Sequence, residues 1–174
     1  LTQAIVNKIV DLALVEGDGT NGFKSIEKEA DVKKIKKITT KAKSAGTTPF
    51  ANAIEEAVDF VRVTAGRRYL IVKAEDRKAL LDELRQATAN AHVRIKNDDT
   101  EIASEVGVDE IIVYTGSKAL KPTVLVDQKY HIDMQDLTKV DAFEWKTNSN
   151  MILVETLTSG HVEAYNAGAV ITVS

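Results

Sequence analysis

The sequence predicts an α+β fold in two lobes, one of them built from both ends of the chain. Three observations predict it. An amphipathic helix opens the chain, a strand–helix–strand block fills its middle, and the last third carries apolar runs and turn signals without helical spacing.

Apolar residues at Ile5, Val6, Ile9, Val10, Leu12 and Ala13 form a wide stripe at helical spacing, which predicts a helix over 2–15. The dense turn signal Gly17-Asp18-Gly19-Thr20-Asn21-Gly22 stops it. Residues 27–43 set acids (Glu27, Glu29, Asp31) before a lysine run and hold few apolar residues, so they read as an exposed segment. A second helix follows, with Thr48 as its cap, Pro49 in first position, and Phe50, Ala53, Ile54, Ala57, Val58 and Val61 on one face. Gly66 is expected to close it as a left-handed cap. Tyr69–Val72 reads as a short buried strand, and 75–88 as a helix with Glu75 and Asp76 favouring its dipole. After a polar turn at Asn97-Asp98-Asp99, strands are expected at 111–114 and 124–126. Met151–Val154, a tight turn at Ser159-Gly160, a turn at Asn166-Ala167-Gly168 and Val170–Val173 read as a three-strand meander.

Composition narrows the function classes. The chain has 174 residues, 44% hydrophobic, enough for a core that buries roughly 70% of the unfolded surface. There is no cysteine, which removes disulfides, thiolate catalysis and thiolate metal sites. The net charge of −3 offers no global field to nucleic acid. No apolar run reaches the ~20 residues of a membrane helix. The chain opens at Leu1, inside an apolar pattern, and so reads as a piece of a longer protein.

Candidate chemistry is thin. Gly17–Gly22 fits the pattern G-x-G-x-x-G, which would make a nucleotide-binding α/β enzyme the alternative in a different class. That chemistry needs a strand before the glycines and a helix start after them, and here a helix comes first. Lys24-Ser25 stand one residue out of register for a phosphate loop, and Asn21 stands where an EF-hand needs Gly. His92, His131 and His161 form no metal-spaced pair. The serines lack a nucleophile-elbow setting. The lysines of 33–43 lack interleaved aromatics and read as a solvated face. No catalytic, cofactor or metal residue is assigned, and the chain is not expected to be an enzyme.

The ordered set of motifs resembles the major capsid proteins of tailed phages. Leu14-Val15-Glu16-Gly17-Asp18-Gly19-Thr20-Asn21-Gly22 looks like that family's helix-to-turn junction. Asp141-Ala142-Phe143-Glu144-Trp145-Lys146, Asn150–Glu155, Ser159-Gly160 and Ala167–Thr172 look like its closing segment. The resemblance implies the fold shared by tailed phages, herpesviruses and encapsulins, with an axial domain (31–139) inserted in a peripheral domain (1–30 and 140–174). The family's N-terminal arm and extended loop are missing from this chain. It implies a structural subunit of an icosahedral shell, self-assembling through pentamers and hexamers around double-stranded DNA. An encapsulin-like compartment is the nearest alternative. Implied partners are copies of itself, with scaffolding, portal and decoration proteins and non-specific proximity to packaged DNA. The implied location is the virion, after synthesis in a bacterial cytoplasm. By the same analogy Ala45-Gly46-Thr47-Thr48 and Asn97-Asp98-Asp99-Thr100 are candidate intersubunit contact loops. Asn150 and Glu155 match a cross-linking region whose donor Lys would lie in the absent loop.

Overall fold

A computed structural model describes residues 2–20, 22–89, 94–134, 138–144, 149–155 and 158–174. Its centre is a five-stranded mixed sheet of β1 (Ile35–Thr39), β2 (Arg68–Val72), β3 (Glu110–Val113), β4 (Thr123–Val126) and β9 (Gly168–Thr172), in the order β1-β9-β4-β2-β3. β1 runs parallel to β9 and β2 parallel to β3, while β4 is antiparallel to both of its neighbours. Two ribbons complete the strands: β5 (Tyr130–Met134) with β8 (Thr158–Val162), and β6 (Thr138–Glu144) with β7 (Ser149–Glu155).

Strand alternation explains why both faces of the sheet are apolar. Ile38, Leu70, Val72, Ile111, Val124, Val126, Ala169 and Ile171 point to one face, where α2 (Pro49–Val61), α3 (Ala74–Ala87) and α4 (Asp99–Val106) close the main core. Ile35, Ile71, Leu125 and Val170 point to the other face. There they meet Leu14, Val15, Ile26, Tyr114 and Val162. The two chain ends therefore touch, with Leu14 and Ile26 packing beside Val162, Ala167 and Val170. Backbone hydrogen bonds from Lys24 to Gly160 (2.9 Å) and from Gly160 to Gly22 (3.0 Å) seal the junction.

The first helix is α1 (Thr2–Asp11), followed without a break by a π-helical turn over Leu12–Glu16. Gly17 ends it, donating to the Leu12 carbonyl at 3.0 Å. A Cβ at Gly17 would lie 2.7 Å from both the Leu12 and Phe23 oxygens, so only glycine fits.

Several elements depart from the sequence expectation. Residues 27–43 are not simply exposed, because they contain β1, whose two isoleucines serve opposite faces of an edge strand. Glu29 is buried there as well, 3.5 Å from Lys24. The acid-rich stretch after Asn97 is a helix, α4, whose Asp98 accepts from the Thr100 N–H. α2 ends at Val61 rather than at Gly66, and Thr48 makes no side-chain cap. The last third is not a meander: Met151–Val154 pair with β6, while the closing strand β9 lies inside the central sheet between β1 and β4. Ser159-Gly160 is no turn but part of β8, where the rings of Tyr130 and Phe23 crowd Gly160 and leave no room for a Cβ.

Candidate functional site

The glycine-rich turn is a closed hairpin. Residues 18 and 24 bridge across it, and three of its N–H groups are already occupied. Gly19 donates to Phe23 (2.7 Å), Thr20 to the Asp18 carboxylate (2.9 Å) and Ser25 to Gly17 (2.8 Å). A phosphate cradle needs such donors unoccupied at a helix start, and 25–30 form no helix. Asn21 lies outside the described residues. Among the described residues no group of three His, Asp or Glu side chains is placed to hold a metal. His131 and His161 oppose each other across the β5–β8 ribbon, edge to face at 5.8 Å. The Asp133 carboxylate, 2.8 Å from His131 Nε2, raises the His131 pKa above its ordinary value. His92 lies outside the described residues.

The two candidate contact loops both lie beside α3, at different places along it. Ser44–Thr47 is a closed turn, with Thr47 Oγ1 donating to the Ser44 carbonyl at 2.7 Å and Gly46 at φ +75° in open space. Behind it, the buried Glu83 of α3 accepts from the Phe50 N–H (3.1 Å) and the Ala51 N–H (2.8 Å). This carboxylate, and not Thr48, satisfies the first turn of α2. The turn at 97–99 is held at the other end of α3, where Arg77 donates to Asp99 (2.6 Å) and to Asn97 (2.8 Å). Gln86, which borders the 43–47 turn, lies nine positions along the helix from Arg77, a spacing of roughly 14 Å. The two turns thus lie at separate places along one helix.

Asn150 and Glu155 sit in β7, opposite Phe143 and Thr138. Five strand residues put their backbones roughly 17 Å apart, so the strand does not bring them together.

One surface carries no signal in the sequence. α1 leans over the second face of the sheet and leaves an apolar groove of about 370 Å³, lined by Ile9, Val10, Ile71, Ile112, Tyr114 and Ile132. Val10, Ile112 and Ile132 are exposed along it. Tyr114 closes one side with a hydrogen bond to Asp11. Burial and that carboxylate both push the Tyr114 pKa up. Glu16 holds the far end of the helix, 2.7 Å from Lys8 and 2.8 Å from Lys118, which together lower its pKa to about 2.

Comparison with known proteins gives this geometry a context. The chain is 96% identical over all 174 residues to the "Capsid protein" of Lactococcus phage p2 and to that of Lactococcus phage SK1. It spans 44% of the length of those curated relatives. No family model matches. Among solved structures, it aligns along 100% of its length, at 12% identity and a TM-score of 0.60, with 66% of a chain described as "Capsid of empty GTA particle computed with C5 symmetry". It also aligns along 99% of its length, at 14% identity and a TM-score of 0.51, with 62% of a chain from "Satellite phage P4 procapsid including size determination (Sid) protein". The α+β fold is thus the fold of these capsid chains.

Proposed function

We propose that this chain, the counterpart along its whole length of a segment of a phage capsid protein, forms part of the wall of an icosahedral phage head. The observation that carries the reading is the 96% identity over all 174 residues to two phage capsid proteins. Chains this similar share one hydrophobic pattern, so the segment folds as theirs does.

A wall protein acts by geometry, presenting the same surfaces to identical neighbours. In this reading the turn at Gly46-Thr47-Thr48 and the turn at Asn97-Asp98-Asp99 meet other copies, and α3 sets the distance between them. The two-lobe division, 1–30 with 140–174 against 31–139, belongs to the same proposal. Within that division β9, from the closing segment, pairs with β1 and β4 of the middle one. Copies of the same chain are the primary partner, and scaffolding, portal and decoration proteins the further ones. A net charge of −3 suits a wall that encloses DNA without gripping it.

Electron microscopy of the full-length product tests the reading, expressed alone and together with the neighbouring head genes. Uniform round particles in either case are the expected result. Dispersed protein in both would overturn it.

A further inference from the structure

We propose that the two outer edges of the five-stranded sheet are complementary docking surfaces, so that the lysine-bearing β1 edge of one copy seats against the acidic α4–β3 edge of the next. The inference rests on the wall-protein reading and adds which surfaces meet. Residues 33–43 contain six lysines and no acid, whereas residues 98–110 contain six acids and no basic residue. The net charge of −3 hides this separation. The strand order makes it spatial, because β1 and β3 are the two ends of the sheet.

Four strand spacings put the edges roughly 19 Å apart. Salt screens charge over about 8 Å at physiological ionic strength, so neither edge neutralises the other within one chain. Internal partners occupy part of each set. Lys36 pairs with Glu56 at 2.8 Å, Asp99 with Arg77 at 2.6 Å and Glu110 with Arg67 at 3.5 Å. Among the described residues, Lys33, Lys41 and Lys43, flanking β1, and Glu101 and Glu105, on the α4 that leads into β3, make no ion pair.

Local explanations do not absorb them. Acids in the first turn of α4 favour its dipole, but Glu105 sits in the last turn, where a negative charge opposes it. Lys41 and Lys43 lie beyond the end of β1 and so do not guard its open edge. Like edges repel and unlike edges attract, which permits only a head-to-tail contact; such contacts generate rings when the rotation closes. DNA on the lysine edge is the rival explanation, and it leaves the acidic edge without a role.

Charge reversal in the full-length protein decides the matter. K41E/K43E and E101K/E105K are each expected to cut particle yield about tenfold or more at physiological salt, while the chain carrying all four changes returns to within about twofold of the parent. Rescue by the fourfold variant separates lost contact from lost folding. Either double variant assembling like the parent would overturn the inference. So would a fourfold variant as defective as the doubles, or K41E/K43E shells that form normally but fail to retain DNA. A parent that forms no particles with its head genes present would instead sink the wall-protein reading itself.

Discussion

The two faces of the central sheet are covered on different terms. One face meets α2, α3 and α4 in a single apolar core that includes Ile54, Leu70, Leu80, Ile102, Val124 and Ile171, all fully buried. The other meets one bent helix and the β5–β8 ribbon, in two small clusters with an open groove beside them. Area burial stabilises the first face. The second relies on polar fasteners at its margins: Tyr114 to Asp11, Tyr130 to the Lys24 carbonyl (2.9 Å), and Glu16 to two lysines. The lesson is that one face defines the fold, while the other holds the chain ends in place.

The largest test of that contrast is Leu70→Ala, which removes a fully buried side chain in β2. A loss of about 3 kcal/mol is expected, seen as one cooperative transition in urea. A loss under about 1 kcal/mol would mean the three-helix face is not the dominant core. Next comes Glu83→Ala, which strands the Phe50 and Ala51 N–H groups in a buried setting. It should cost about 2 kcal/mol, with Glu83→Gln retaining part of the loss because one acceptor oxygen remains. Proteolysis near 43–48 should accelerate in Glu83→Ala, since the start of α2 that follows this turn is held by that carboxylate.

On the second face the effect should be smaller and local. Tyr114→Phe removes the hydrogen bond to Asp11 and should cost about 1 kcal/mol. Hydrogen exchange should quicken in α1 while β2 and β4 keep their protection. Uniform acceleration throughout would show that α1 is not a separately fastened element. The same bond predicts alkaline sensitivity. Burial, then Asp11, raise the Tyr114 pKa, so its stabilising contribution is present below pH 10 and is lost as pH rises toward the folded value. Tyr130, pushed up to about 12 by burial, acts in the same direction between pH 10 and about 12.

Most of the first face and the opening helix of the second were legible in the sequence, whereas β1, α4 and the place of β9 were not, for reasons visible in particular residues. α2, α3, β2 and β4 announce themselves because their apolar residues point to one side or run continuously. β1 does not, since an edge strand reading Ile-Lys-Lys-Ile-Thr contributes one isoleucine to each face and clothes the rest in lysine. α4 looks like a polar turn because its acids mask its three buried residues, Ile102, Ala103 and Val106. The place of β9 is a matter of topology: Ala-Val-Ile-Thr looks like any buried strand, and only long-range pairing with β1 and β4 assigns its sheet. The contact loops came from family resemblance alone. Glu83, whose carboxylate holds the helix start just after one of them, looks like an ordinary helix-surface glutamate until α2 is seen to start on top of it.

The smallest effect is the one that isolates the fasteners best. Glu16 closes the π-helical turn onto the loop carrying Lys118 and back onto Lys8 in α1. Lys118, then Lys8, depress its pKa from 4.5 to about 2, a lowered folded-state value. Its contribution is therefore complete above pH 4.5 and disappears as pH falls through about 2. These are surface charges, so the effect should shrink as salt is added. Glu16→Gln should flatten the stability profile between pH 4.5 and 2, and leave the urea midpoint at pH 7 only slightly lower. If the variant loses as much stability as Leu70→Ala, the second face is part of the main core after all, and the division between the two faces fails.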